Sequence, residues 1–167
     1  MRRPGDCLIG VWPAVAASAL AFNIFYLRRY HAGLISGKLS DLAINVLLPI
    51  VLVAAAEWAL FLWSVLRRAT VRPICWRGHV AACAASGAYF TLLKVWPPFT
   101  QVHCALLGIL ELPFRFGGAG HKFRNITDVT DLVTLVANPL AAVWLQRRSQ
   151  AEPLTHLPDI HQPHQPS

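Results

Sequence analysis

Four stretches of the chain are apolar over roughly the length that a bilayer-spanning helix needs. They run from about Leu8 to Leu27, Leu42 to Leu66, His79 to Trp96 and Val129 to Leu145. About 20 consecutive apolar residues carry a helix across membrane hydrocarbon. The first follows Met1-Arg2-Arg3 and resembles a signal peptide, but it continues through Phe22, Ile24, Phe25 and Leu27. That is too long for the apolar part of a cleaved leader. The second run contains Pro49 and stops at Arg67-Arg68, the third is rich in Ala, Gly and Ser, and the fourth is the shortest and contains Pro139. Small residues let helices approach closely in lipid, and membrane helices tolerate internal proline.

The segments between these runs behave differently. Thr100 to Leu112 is apolar and bounded by Pro98 and Pro113. At that length a segment lies on the membrane face or re-enters it. Residues 151–167 are rich in Pro, His and Gln, and such a composition predicts a disordered tail. The expected fold is therefore all-α. Residues 1–150 form one integral membrane bundle of four transmembrane helices, with a short interfacial helix at about 100–112.

Composition agrees with that pattern. Of 167 residues, 55% are hydrophobic and 14% charged, against about 25% charged in soluble domains. The formal net charge is +7. The arginines cluster just outside the apolar runs, as in Arg28-Arg29 and Arg147-Arg148. Anchoring at lipid headgroups accounts for them better than nucleic-acid binding does. With both termini in the cytoplasm, eight Lys or Arg lie inside and six outside. The expected location is thus a bacterial cytoplasmic membrane, with both termini inside.

A gapless self-match appears at a shift of ninety residues. It sets His31 on His121, Ser40-Asp41-Leu42 on Thr130-Asp131-Leu132, and Pro49 on Pro139. In each segment a hydroxyl residue and Asp open a helix that carries proline eight residues later. This predicts two helix-pair repeats sharing one orientation, related by an axis along the membrane normal. The Gly37-Lys38-Leu39-Ser40-Asp41-Leu42-Ala43 and Asp128-Val129-Thr130-Asp131-Leu132 elements resemble those of small bacterial multi-pass membrane proteins of uncharacterised activity. In that set Phe and Gly usually stand where this chain has Leu42 and Ile44. The resemblance implies a topology and a bacterial membrane, and no activity.

Several polar residues interrupt the apolar runs. Glu57 sits past the middle of the second run, where a charge costs about 2.5–3.5 kcal/mol on insertion scales. It is either a proton or cation site or a neutral, hydrogen-bonded packing residue. Lys94 lies near the end of the third run; its stem is long enough to snorkel to the interface. Asn23, Asn45 and Asn138 have interhelical hydrogen bonding as their plain role. Two parallel helix starts would bring Asp41 and Asp131 together, and two such carboxylates need a cation. Lys94 is the candidate, so an Asp41–Lys94–Asp131 cluster is expected at the outer face, with Asn45 one turn below Asp41.

Other chemistry finds little support. Cys7, Cys75, Cys83 and Cys104 form no CxxC pair and suggest no disulfide framework. Cys75, His79 and Cys83 share a helical spacing, but three ligands without a fourth, near a helix expected to start at His79, make a weak metal site. Ala84-Ala85-Ser86-Gly87 lacks the first glycine of a serine-nucleophile motif. Asn125 and Asp128 read most simply as a cap for the fourth helix. No cofactor is expected. The leading expectation is a non-enzymatic structural or accessory membrane component, partnered by lipid and by copies of itself or another membrane protein. The alternatives are a small transporter or channel using Glu57 and the Asp41/Asp131 pair, and a membrane enzyme acting on lipid.

Overall fold

A computed structural model describes residues 3–30, 33–68, 74–111 and 128–151. The described chain is helical throughout. A short 3-10 turn, Asp6–Leu8, precedes α1, Val11–Phe22, which continues through a π-helical turn, Asn23–Leu27, and a last turn, Arg28–Tyr30. Then come α2, Leu34–Arg67, α3, Trp76–Val95, and α4, Pro97–Glu111. A nine-residue 3-10 helix, Val129–Ala137, leads directly into α5, Asn138–Ala151. Two helices, Ile35–Arg67 and Val129–Gln150, are long and apolar enough to cross a membrane. Val11–Leu27 is apolar but shorter. Arg77, His79, Ser86 and Lys94 lower the apolar content of α3.

Helix α2 is the axis of the molecule and packs on α1, α3, the 3-10 helix and α5. Its inward stripe, Ala43, Val46, Ile50, Val53 and Glu57, advances by three or four residues, as one face of an α-helix does. The buried residues of α3 keep the same rhythm: His79, Cys83, Ser86, Phe90 and Leu93. Helices α2 and α5 run in the same direction. Asn45 of α2 bonds Thr134 near the start of both, and Cys7 bridges Ile50 of α2 and Trp144 of α5 farther along.

The last turn of the 3-10 helix accommodates Pro139. An α-helix would take the Leu135 carbonyl to the amide of residue 139, which proline lacks. Instead the Asn138 amide closes back on Leu135, one residue tighter. The burial pattern changes with the winding. Asp131, Thr134 and Ala137 are buried at steps of three, because side chains at i and i+3 eclipse in a 3-10 helix. Ala141 and Leu145 resume the step of four in α5.

Four expected boundaries are corrected. The second helix starts at Leu34, not Leu42, so Ser40 and Asp41 lie inside it rather than at its start. Its early polar residues are tolerable because Ser36 and Ser40 both bond Asn23 of α1. The third helix starts at Trp76, before His79. The helix expected at about 100–112 starts at Pro97, because Pro97-Pro98 begins it after a one-residue break at Trp96 instead of opening a loop. The last helical segment runs to Ala151 rather than Leu145. Asp128 is the cap of the 3-10 helix, accepting the Thr130 amide at 2.9 Å. Asn125, His31, His121, Leu112 and residues 152–167 lie outside the described residues.

Asn23 sits where the π-turn begins and is fully buried. It donates to the Ser36 carbonyl at 2.8 Å, accepts from Ser36 Oγ at 2.8 Å and bonds Ser40 Oγ. Replacing it breaks the polar link between α1 and α2. Asn23→Ala is expected to lower stability by about 1–2 kcal/mol, as loss of one side of a buried hydrogen-bonded contact does. Thermal unfolding of the purified protein in detergent measures this.

Candidate functional site: a buried ion cluster beside an apolar cavity

Lys94 arises near the C-terminal end of α3 and turns into the bundle, where it is 6% exposed. The side chain does not turn out to the surface of the bundle. Its Nζ donates to Asp41 Oδ2 at 2.8 Å and to Asp131 Oδ2 at 2.7 Å. One ammonium thus joins α2, α3 and the 3-10 helix. The third direction of Nζ is taken by the Phe90 ring, 5.4 Å to its centroid. Such a cation over an aromatic face is attracted by the ring quadrupole.

The two carboxylates reach this lysine from different local settings. Asp131 is in the first turn of the 3-10 helix, near the partial positive charge of free amides. Asp41 is inside α2 and has no such help. Lys38 of α2 lies 3.5 Å from Asp131 Oδ1 and also reaches the Thr130 carbonyl and Oγ1. Asp131 therefore has two cations, whereas Asp41 has Lys94 as its one ion-pair partner among the described residues.

Asn45, fully buried, is one turn below Asp41 and does not bond the ions. Its Nδ2 donates to Thr134 Oγ1 at 2.9 Å, and Thr134 in turn donates to the Asp131 carbonyl. Its Oδ1 is buried without a donor. Farther down, Asn138 is clamped to α3: Ser86 Oγ donates to its Oδ1 at 3.2 Å, and its Nδ2 donates to the Cys83 carbonyl at 3.1 Å. Gly87 permits this approach, since a Cβ there would meet Asn138 Nδ2 at 3.0 Å.

Glu57 belongs to another place. It is 3% exposed and faces inward, accepting the Gly5 amide at 3.0 Å. The N-terminal turn is thereby tied to the far half of α2. Cys7 anchors the same turn, with its Sγ toward the Ile50 carbonyl and its own carbonyl accepting Trp144 Nε1. Cys75, His79 and Cys83 do not converge: Cys75 is exposed while the other two are buried, and no group of three metal-binding side chains occurs among the described residues.

A cavity of about 340 Å³ adjoins the ion cluster. Asp41, Ile44 and Leu48 of α2, Phe90, Leu93 and Lys94 of α3, and Leu107 of α4 contribute to its wall. Helix α4 closes it by folding back along α3. The Thr100 hydroxyl bonds the Leu93 carbonyl at 2.6 Å, and Tyr89 Oη meets His103 Nδ1 at 2.5 Å. Lys38, Thr134, Tyr89 and His103 were not indicated by the sequence pattern. Thr134 had a signal available, the step-of-three series Asp131, Thr134, Ala137 ahead of a proline. Tyr89 and His103 had none, because only the turn at Trp96 brings them together.

Removing the lysine alone leaves the buried Asp131 and the largely covered Asp41 facing each other. Breaking one partner of a buried pair costs about 3–5 kcal/mol, whereas apolar replacement of the whole set is often neutral. Lys94→Met is expected to destabilise the protein by about 3 kcal/mol or more, and Lys94→Met with Asp41→Asn and Asp131→Asn to recover most of it. Denaturant unfolding in detergent compares the two.

Burial holds the His103 imidazole below its ordinary value of 6.5. A histidine depressed in the docked state favours the neutral form, so undocked α4 takes up protons first as pH falls. Docking is complete above the ordinary value and weakens as pH drops from there toward the lowered one. Spin labels at positions 92 and 106, both exposed, are expected to separate over that window, and His103→Gln to abolish the dependence.

No family model matches the chain, and no curated protein or solved structure matches it, so its function is to be read from the ion cluster and the bundle around it.

Proposed function

We propose that the chain is an integral membrane protein that crosses the bilayer four times, and that it is a structural or accessory membrane component rather than an enzyme. The observation that carries this reading is an inversion of polarity. Among the described residues, as many polar or charged side chains are buried as hydrophobic ones, Glu57, Lys94, Asp131 and Asn45 among them. Large apolar side chains are turned outward instead, including Phe25 at 77% exposed, Leu66 at 80% and Val136 at 72%. Of the most apolar windows in the two long helices, only 33% and 28% is buried. A core helix of a soluble protein would be mostly covered. Lipid is the solvent in which an apolar exterior costs nothing, and polar side chains then turn inward to find partners.

Helix α2, at 34 residues, is about 51 Å long at 1.5 Å per residue. Hydrocarbon is about 30 Å thick, so its first turns, with Lys38 and Asp41, fall at the headgroup level on this reading. Helix α4 lies there too, beyond the end of α3. The shared direction of α2 and α5 supports two parallel halves. The ninety-residue match is confined to the second helix of each half, however. The same shift carries α1 onto α4 rather than α3. The resemblance to small bacterial multi-pass proteins points to the cytoplasmic membrane of a bacterium.

A transporter or channel is the second reading, favoured by the burial of ionisable groups in the bundle. Glu57 and Asp41 are sixteen residues apart on one helix, about 24 Å by its rise. They do not form one site, and transport would rest on the Asp41–Lys94–Asp131 cluster. Ion flux into liposomes that Asp41→Asn abolishes would establish it.

Topology tests the main reading. Both termini and the α2–α3 connection fall on one side of the membrane if four helices cross. Cys75 in that connection is exposed, and the backbone amide of Gly78 beside it lowers its thiol pKa. It is expected to be labelled by a membrane-impermeant maleimide from the side that terminal reporters mark, while buried Cys7 and Cys83 stay unreacted. Labelling from the opposite side, or release of the chain from membranes by alkaline carbonate, would refute the four-span reading.

A further inference from the structure

Positive charge is treated differently at the two ends of the bundle. At the end where Asp41 and Asp131 lie, Lys94 and Lys38 are both held by carboxylates. At the opposite end stand Arg3, Arg67, Arg68, Arg77, Arg147 and Arg148. Helices α2 and α5 run in one direction and stop there, α3 starts there, and the N-terminal turn docks there on Glu57 and Trp144. None of these arginines has an ion-pair partner among the described residues. The nearby acids face the turn instead. Glu57 is buried and accepts the Gly5 amide, and Asp6 Oδ2 accepts the Arg3 amide at 2.7 Å. The C-termini of α2 and α5 offer about half a negative charge each, far less than this cluster of cations calls for.

The N-terminal turn sets where the charges sit. Gly5 has a φ of 84°, and a Cβ there would meet Trp58 Nε1 at 2.8 Å, so the turn packs closely on α2. Its Cys7 carbonyl accepts Trp144 Nε1 at 3.0 Å, so the same turn also reaches α5. Arg3 is thereby held between the two helices whose ends carry Arg67-Arg68 and Arg147-Arg148. The surroundings are apolar and aromatic: Trp58, Trp63, Leu66 and Trp76 are all exposed. Arg67 lies over the Trp63 ring, 4.7 Å from its centroid. A guanidinium stacked by its face keeps its N–H edge for a phosphate.

We propose that this end of the bundle binds anionic phospholipid, with phosphates on Arg67 and Arg68 of α2, on Arg147 and Arg148 of α5, and on Arg3 between them. This deepens the reading of the protein as a membrane component and rests on it; what it adds is the class of lipid and the leaflet, the one on the side of the N-terminal turn. Arginine pairs with phosphate through charge-assisted hydrogen bonds, and exposed tryptophans belong at headgroup level. A soluble polyanion would meet the same charges but leave the apolar rim in water. A zwitterionic lipid brings the same phosphate together with an ammonium that the arginines repel. The site therefore discriminates by the net charge of the head.

Native mass spectrometry of the full chain, released from a non-ionic detergent, tests this with phosphatidylglycerol and phosphatidylcholine of identical acyl chains as probes. Phosphatidylglycerol is expected to bind at least about tenfold tighter, because each basic residue near a headgroup surface adds attraction. That preference is expected to shrink as salt is raised. Arg67→Gln with Arg68→Gln, and separately Arg147→Gln with Arg148→Gln, are each expected to reduce it by at least about threefold. Arg29→Gln, exposed at the other end, is expected to leave it unchanged. Equal affinity for the two lipids, an unchanged preference in both double variants, an equal loss in Arg29→Gln, or tripolyphosphate binding as tightly as phosphatidylglycerol would each overturn the proposal. Those outcomes, with the termini and Cys75 still in one compartment, overturn the site alone. Release by carbonate overturns the membrane reading instead.

Discussion

One lysine ammonium, inserted between two carboxylates on different helices, holds this bundle in register. Lys94 enters the interior where Asp41 and Asp131 meet, and it is the cation that both carboxylates share. A buried charge that loses its partner costs several kcal/mol, while the intact set adds little net stability. The cluster therefore acts on specificity more than on strength: it selects the one arrangement of α2, α3 and the 3-10 helix in which all three charges meet. A one-residue rotation of any of the three would leave a charge unpaired.

The other polar contacts extend the same constraint along the bundle. Asn23 binds α1 to α2, Asn45 binds α2 to the 3-10 helix through Thr134, and Asn138 binds α3 to the start of α5. Each pairs polar groups that are buried within the bundle. Between them the packing relies on small or medium side chains such as Ala43, Ala137, Ala141 and Gly87, which bring the backbones close enough for short amide side chains to reach across.

Pro139 is linked to the cluster through helix winding. The 3-10 winding of the segment that it ends aligns Asp131 and Thr134 on one edge, the first toward Lys94 and the second toward Asn45. In an α-helix those side chains would diverge by about 60°, three residues at about 100° each falling short of a full turn. Pro49, at the matching place in α2, has no comparable effect, since α2 remains α-helical through it. The two prolines share a position in the sequence and differ in consequence because only the later one lies at the end of a segment already wound as 3-10.

The sequence by itself determined that the chain is helical and where its apolar runs lie, because hydrophobic length and period are local properties. It also singled out Asp41, Lys94, Asp131 and the three asparagines, since a polar residue in an apolar run needs a partner wherever that partner is. Asp41 was legible as a partner for Asp131 but not as a residue inside a helix. The eight residues before it look like a loop until Ser36 and Ser40 find Asn23. Only the tertiary structure decided that Lys38 supplements Asp131 and not Asp41, that Glu57 holds the N-terminal turn, and that Tyr89 and His103 meet across the bend at Trp96. Those outcomes depend on which helix faces which, and contacts between segments far apart in the chain have no signature in local spacing.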